Sequence, residues 1–215
     1  MSIQICTLVK QDQKYFDDWY NHHIKKGFGP ITVYLDDPAK KDAYIRDSVI
    51  IKEVIRGGNS SHVFTLNDFL NENKDEKGWC LFIDIDEYAD FHADDILKEI
   101  TKTKIGQGIR IPTMPYIADT EKYREKFIDK PVAVRFPKQS IAVRFMHHKM
   151  LMPFGGDLLF SPHSSKKAPY VTYKFMIKHY FTKSREEWDL RRYGVGCVGA
   201  DNYTDEMFLQ CNELV

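Results

Sequence analysis

Short apolar runs alternate with helical patterns along the first half of the chain. The runs at residues 3–9, 31–35 and 49–55 are typical of strands, and turn-forming Asp, Pro or Gly residues follow the last two. Between the first two runs, apolar residues from Tyr15 to Ile24 recur at helical spacing, and Gly27 follows as a stop. The alternation predicts β-α-β units, and so an α/β fold with a mainly parallel central sheet flanked by helices.

The same signals continue along the chain. Helices are predicted at residues 65–70 and 94–100, and strands at residues 79–85, 108–114 and 170–181. Between residues 112 and 169 the texture changes, because seven of the nine prolines fall there and the apolar runs become short. This stretch predicts long shaped loops with a few strands inside one domain.

Composition limits the classes of protein that fit. The 215 residues are 43% hydrophobic, which favours one large domain with a buried core. Thirty-one basic residues balance thirty-one acidic residues, so no overall field favours nucleic acid or an anionic membrane as a partner. The sequence has no signal-peptide pattern and no run of apolar residues long enough for a transmembrane segment, which predicts a cytoplasmic protein.

The cysteines predict neither a structural zinc site nor a disulfide framework. They are scattered and form no C-x-x-C pair, at positions Cys6, Cys80, Cys197 and Cys211. A reducing compartment is the simplest interpretation.

Two carboxylates mark the end of the predicted strand at residues 79–85. Alternation along a strand predicts that Asp84 and Asp86 point to the same side. Two like charges at the end of a buried strand are costly unless a cation or a positive group compensates them, and hard oxygen ligands suit Mg²⁺ or Mn²⁺. The pattern alone also fits exposed turn residues. A phosphatase of the haloacid-dehalogenase type is a minor alternative, since here the pair lies on about the fourth strand and Glu87-Tyr88 follows it.

The segment from Trp79 to Tyr88 resembles the W-x-x-x-x-D-x-D-E-[FY] motif of GT-A glycosyltransferases related to family 2. Two further blocks resemble that group in the right order. Near the start lie Leu8-Val-Lys-Gln-Asp and Trp19-Tyr-Asn-His-His-Ile, and toward the end lies His179-Tyr-Phe-Thr-Lys-Ser-Arg-Glu-Glu-Trp. The size is similar to the minimal GT-A domains encoded by large algal viruses, where such a unit can be part of a longer multidomain protein.

The resemblance implies a single GT-A domain that transfers a sugar from a nucleotide-sugar donor, such as UDP-glucose, to a saccharide or glycan acceptor. Residues 1–111 would form the nucleotide-sugar-binding half and residues 112–215 the acceptor-side half. The implied cofactor is Mn²⁺ or Mg²⁺, with the metal ligands Asp84, Asp86 and His179. The implied nucleotide-sugar contacts are Thr7, Val9, Lys10, Tyr34, Asp36, Arg56 and Asp84, with added positive charge from Lys183 and Arg191.

The resemblance also implies inversion of the anomeric centre by direct displacement, which requires a carboxylate base on the acceptor side. Asp157 is the first candidate, because the preceding Gly155-Gly156 turn can present a carboxylate at a loop tip. Asp119 and Glu87 are the rival candidates.

Two other functions remain open from the sequence. A metal-dependent nucleotidyl or phosphoryl transferase would use the same Asp84 and Asp86, although the chain has no G-x-x-x-x-G-K-[ST] phosphate-binding loop. A non-catalytic saccharide-binding domain would bind glycan without metal or nucleotide.

Overall fold

The computed structural model describes residues 1–9, 15–54, 61–103, 106–117, 147–161, 163–167, 170–182 and 189. The chain packs as two compact units. The first unit comprises Met1–Thr113 and His147–Ile177, and the second comprises Met114–Met146 and Lys178–Val215. The single domain with its two halves stays a prediction.

The described residues form strands and helices in alternation through the first unit. The helices are α1 (Phe16–Lys25), α2 (Ser61–Glu72) and α3 (Ala93–Thr103), and a 3₁₀ helix spans Pro38–Tyr44. The strands are β1 (Ser2–Val9), β2 (Ile31–Leu35), β3 (Val49–Glu53), β4 (Gly78–Phe82), β5 (Glu87–Ala89), β6 (Ile109–Ile117), β7 (His148–Pro153), β8 (Leu159–Ser161), β9 (Ser164–Ser165), β10 (Tyr170–Val171) and β11 (Ile177–Thr182).

A mainly parallel sheet forms the centre of the first unit, in the order β3-β2-β1-β4-β7-β6. The first four strands in this order are parallel, while β7 runs antiparallel to both β4 and β6. The short strand β10 pairs in parallel with the start of β6. The predicted α/β class, with a mainly parallel sheet flanked by helices, is confirmed.

Helices cover both faces of this sheet. All five residues of β2 are buried, which is the pattern of a strand packed on both sides. On one face, Leu66, Phe69 and Leu70 of α2 pack in one cluster with side chains from the strands. Those strand side chains are Cys6, Tyr34, Cys80, Phe82, Met150 and Met152.

On α1, side chains hydrogen-bond to the backbone of β5. The indole Nε1–H of Trp19 donates to the carbonyl oxygen of Glu87 at 2.8 Å. His22 Nε2 bonds to the carbonyl oxygen of Ala89 at 2.8 Å, and the backbone N–H of Ala89 donates to His23 Nε2 at 3.2 Å. His23 Nδ1 bonds to the carbonyl oxygen of Trp19 at 2.8 Å, so both ring nitrogens of this buried histidine are used in its neutral form. Helix α1 therefore anchors the strand that follows the carboxylate pair.

We expect His23 to make the fold sensitive to acid. Burial lowers the pKa of His23 well below its ordinary value, and neighbouring His22 lowers it further. Below about pH 6.5 the unfolded chain therefore binds a proton that the folded chain does not, so stability is lost as the pH falls. In urea titrations between pH 7.5 and 5, His23→Gln should reduce the pH slope of the unfolding free energy by up to about 1.4 kcal/mol per pH unit. Equal pH slopes in the parent and in His23→Gln would refute the assignment.

The strand predicted over residues 170–181 is wrong as a single element. The structure has β10 and β11 there, separated by bends at residues 173–175. The backbone N–H groups of Tyr170 and Thr172 donate to the carbonyl oxygens of Gly108 and Arg110, at the start of β6. The hydroxyl of Thr172 then accepts the N–H of Lys174 at 3.3 Å, a local turn that competes with the sheet ladder.

Among the described residues, no helix is both long enough and apolar enough to cross a lipid bilayer.

Candidate active site

The carboxyl ends of β1, β2 and β4 meet at one edge of the sheet, where open α/β sheets bind ligands. In the strand register, Val9 pairs with Leu35, and Cys6 pairs with Phe82. Beyond β2, the backbone N–H of Asp36 donates to the carbonyl oxygen of Val9 at 3.2 Å. The structure therefore brings several predicted nucleotide-sugar contacts to the same edge as the carboxylate pair, namely Thr7, Val9, Tyr34 and Asp36.

The carboxylate pair lies on a turn and not on a strand. Because β4 ends at Phe82, the predicted strand at residues 79–85 is three residues too long. The backbone N–H of Glu87 bonds to the carbonyl oxygen of Asp84 at 3.0 Å, and Asp84 N–H bonds to Glu87 Oε2 at 2.8 Å. We call residues 84–87 the carboxylate turn. Strand alternation therefore cannot place Asp84 and Asp86 on one side, and the closed turn sets their positions.

A buried lysine on β7 contacts the carboxylate turn. Lys149 Nζ donates to Asp84 Oδ2 at 2.5 Å and lies 2.9 Å from Glu87 Oε2. The Lys149 and Glu87 side chains are 5% and 0% exposed, whereas the Asp84 side chain is 39% exposed. Strand β7 brings Lys149 there because it returns antiparallel beside β4, with Met150 opposite Phe82.

The ionisation of the groups in the carboxylate turn depends on one buried ammonium, that of Lys149, among three carboxyl groups. Burial raises the pKa of Glu87 to about 8; Lys149 opposes that rise, and the charges of Asp84 and Asp86 add to it. Burial also acts to raise the pKa of Asp84, but the ammonium of Lys149 outweighs it, so the pKa lies below its ordinary value. Burial acts to lower the pKa of Lys149, and Asp84 and Glu87 together raise it above its ordinary value. At neutral pH Asp84 and Lys149 are charged and offset each other, while Glu87 is mostly protonated.

Beside the turn lies a small recess that opens to solvent. We define it by its lining residues Cys6, Thr7, Leu8, His62, Leu66, Phe82, Ile83, Asp84 and Lys149. Thr7 is 1% exposed, and within the described part of the chain its Oγ1 has no hydrogen-bond partner. Burial lowers the pKa of His62, while the nearby Asp84 carboxylate acts in the opposite direction. The recess therefore combines a carboxylate, an ammonium, an imidazole and an unpartnered hydroxyl.

We expect Thr7→Val to stabilise the protein, because it removes a buried hydroxyl that has no partner. The cost of such a group is about 1–3 kcal/mol, so a gain of about 1 kcal/mol in the free energy of unfolding is expected in urea titrations. Thr113→Val is the matched control, since the buried Thr113 Oγ1 donates to the carbonyl oxygen of His147 at 2.8 Å. That variant should lose about 1 kcal/mol. A loss of stability in Thr7→Val equal to the control would mean that Oγ1 has a partner in the protein.

Three other predicted residues lie in positions that do not suit direct contact with a ligand. The side chain of Tyr34 is buried in the core against α2. Glu87 is fully buried, which does not suit a base that must reach an acceptor hydroxyl. Asp157 lies after Pro153, which pairs with Trp79, so it lies beside the start of β4 and away from Asp84. Its carboxylate accepts the backbone N–H of Lys167.

The remaining predicted residues are divided between the second unit and the undescribed part of the chain. His179 lies on β11, in the second unit, and its role as a metal ligand stays a prediction. Outside the described residues lie Lys10, Arg56, Asp119, Lys183 and Arg191.

The carboxylate turn has the chemistry of a Mg²⁺ or Mn²⁺ site of the partly open kind. Such ions are bound by one or two protein carboxylates, with water and substrate phosphate oxygens completing the shell. Asp84 and Asp86 supply hard oxygen donors, and Asp84 opens to the recess. In the described residues no three His, Cys, Asp or Glu side chains converge as a closed metal site. The donor set fits an ion that shares its shell with substrate.

Sequence reasoning missed Lys149 and His62. Lys149 is 65 residues from Asp84, and only the antiparallel return of β7 joins them. One signal was present: Lys149 directly precedes the apolar run Met150-Leu151-Met152, so a strand there would bury a charge that needs a partner. His62 carried no comparable signal.

No protein-family model matches the chain, and no curated protein matches it. Among solved structures, S. aureus TarS is similar over 98% of this chain, with 10% identity and a TM-score of 0.46. The chain spans 43% of that protein's length. Residues 1–349 of S. aureus TarS match with 11% identity, a TM-score of 0.42 and coverage of 98% of this chain and 71% of that one. A 4-diphosphocytidyl-2C-methyl-D-erythritol synthase matches with 12% identity, a TM-score of 0.40 and coverage of 72% and 76%. At these scores and identities the likeness assigns no activity to the chain.

Proposed function

We propose that this protein is a metal-dependent glycosyltransferase that moves a sugar from a nucleotide-diphosphate sugar, such as a UDP-sugar, to a saccharide or glycan acceptor with inversion. The observation that supports it best is the carboxylate turn with its buried Lys149, next to a polar recess at the carboxyl ends of β1 and β4. The three ordered sequence blocks support the same function.

Several polar residues in and beside the recess have distinct tasks in this proposal. A bound divalent cation would act as a Lewis acid toward the diphosphate that leaves with growing negative charge. Asp84 and Asp86 would hold that ion, and Lys149 keeps Asp84 ionised at neutral pH. Glu87 accepts the N–H of Asp84 and fixes the shape of the turn. The hydroxyl of Thr7 would contact the nucleotide-sugar donor at the wall of the recess. Asp119 is the proposed acceptor-side base, because the burial of Glu87 and the position of Asp157 suit that role less.

A panel of UDP-, GDP- and TDP-sugars, each with and without Mn²⁺, tests the proposal by thermal and chemical unfolding. The right donor at about one hundred times its dissociation constant should raise the unfolding free energy by about 2.7 kcal/mol. No stabilisation by any member of the panel, at millimolar nucleotide sugar and Mn²⁺, would overturn the proposal.

Product analysis separates the two enzymatic alternatives. A glycosyltransferase releases a nucleoside diphosphate, whereas a nucleotidyl transferase that uses the same carboxylates releases pyrophosphate. Glycan binding that persists in chelator, without nucleotide binding, would instead favour a non-catalytic saccharide-binding domain.

A further inference from the structure

Lys149 has one more hydrogen-bond donor than the carboxylate turn uses. A protonated lysine has three N–H donors. In the described part of the chain, two acceptors contact Nζ, Asp84 Oδ2 at 2.5 Å and Glu87 Oε2 at 2.9 Å. Lys149 as a whole is 4% exposed and lines the recess. Within the described residues, its third donor is therefore left for water or for a ligand in the recess.

A second unsatisfied polar group lines the same recess. Thr7 Oγ1 is buried and without a partner in the residues that the structure describes. Leaving two polar groups unsatisfied is costly, and native proteins normally pair such groups with protein, water or ligand. An ammonium and a hydroxyl lining one recess suit an oxygen-rich, negatively charged ligand.

We propose that Lys149 is a donor-binding residue, whose third N–H bonds to an oxygen of the nucleotide-sugar donor while the other two hold Asp84 and Glu87. The proposal rests on the function proposed above and extends it to a residue outside its carboxylate ligands. It has a specific consequence: part of the affinity for the nucleotide is independent of the divalent cation. Lys149 is then a fixed positive charge that acts on the ligand together with the exchangeable metal ion.

A merely structural role for Lys149 would explain its two carboxylate contacts equally well. The two roles separate in the double variant Lys149→Met with Glu87→Gln. Methionine has about the length of the lysine stem, and glutamine keeps the acceptor that Glu87 offers to the N–H of Asp84. The double variant removes the buried ammonium and replaces the fully buried carboxyl of Glu87 by a neutral amide, while the 39% exposed side chain of Asp84 stays open to water, so the fold should persist. Thr7→Val is the second variant, because it tests the recess without touching the charges of the turn.

The experiment measures binding of UDP and of GDP by calorimetry, in EDTA and in Mn²⁺, for the parent protein and both variants. Circular dichroism and the melting temperature of each variant report on its fold. For the nucleotide that binds, the parent should bind measurably in EDTA and more tightly in Mn²⁺. In EDTA, the double variant should bind about 10- to 100-fold more weakly, which is the range for a lost hydrogen bond to a charged group. Thr7→Val should bind a few-fold more weakly while its stability does not fall.

Three outcomes overturn the proposal, and they differ in what they imply. Equal binding by the parent and a folded double variant in EDTA would make Lys149 a structural residue only. Binding by the parent in Mn²⁺ alone would also refute the metal-independent contribution, while leaving the proposed glycosyltransferase intact. Absence of binding by either nucleotide in every condition would reject the proposed function and this inference together. If the double variant does not fold, undiminished EDTA binding by Thr7→Val decides against the recess as the binding site.

Discussion

Replacing Lys149 with methionine alone is expected to destabilise the protein by about 3–5 kcal/mol, the largest effect on stability that the structure predicts. The substitution leaves the carboxylate of Asp84, which is charged at neutral pH, without the ammonium that offsets it, beside the fully buried Glu87. Removing one member of a buried ion pair costs this much because the remaining charge stays uncompensated. Urea-induced unfolding at pH 7.5, followed by circular dichroism, measures the loss.

A charge-compensated variant is the control for this prediction. Lys149→Met with Asp84→Asn should recover most of the lost stability, because it removes both members of the pair that is charged at neutral pH. A further control is Lys174→Met, which removes a lysine that pairs with Glu99 at 2.6 Å on the surface. Surface ion pairs contribute about 0–1 kcal/mol, so this variant should remain close to the parent. A Lys149→Met variant as stable as Lys174→Met would show that the buried contacts are absent in solution.

Asp86→Asn is expected to lower sugar transfer by at least about 1000-fold while leaving the fold intact. The proposed cation loses one of its two protein carboxylates, and Lewis-acid stabilisation of the leaving group is worth several kcal/mol, at about 1.4 kcal/mol for each factor of ten. Steady-state turnover with the donor from the nucleotide-sugar panel, in saturating Mn²⁺, provides the measurement.

The stability of Asp86→Asn provides an independent readout. The negative charge of Asp86 acts on both Asp84 and Glu87, so its removal relieves repulsion within the turn. The variant should therefore unfold at the same urea concentration as the parent or at a higher one. Asp95→Asn is the matched control on the exposed start of α3, and its turnover should equal that of the parent. Undiminished turnover in Asp86→Asn would remove the carboxylate turn from the proposed mechanism.

Local sequence patterns predicted the elements whose formation depends mainly on residues that are close together in the sequence. The strand at residues 31–35 matches β2, because a continuous apolar run bounded by Asp and Pro has few other solutions. Helix α1 likewise follows from helical spacing and from Gly27, whose φ of +82° suits a helix end. The β5 strand was not predicted, since three residues are too few to show a period.

The candidate site depended more on distant contacts. Asp84 and Asp86 stood out because carboxylates after an apolar strand are conspicuous, but they lie on a turn and not on the predicted strand. No local signal in the sequence shows that the strand has only five residues and that a turn follows it. The side chain of Glu87 closes this turn. Lys149 reaches the turn only through the pairing of β7 with β4, a non-local choice that periodicity does not encode.

The contacts between α1 and β5 join two segments that are about seventy residues apart. Three side chains of the helix, Trp19, His22 and His23, take the hydrogen-bonding places that a neighbouring strand would otherwise fill on Glu87 and Ala89. For recombination between related chains, this pairing sets the unit of exchange. A crossover that brings in a foreign first helix without its matching segment after the carboxylate turn would leave peptide groups of β5 without partners. The two segments therefore have to be inherited together, although the sequence separates them by three strands, a 3₁₀ helix and an α-helix.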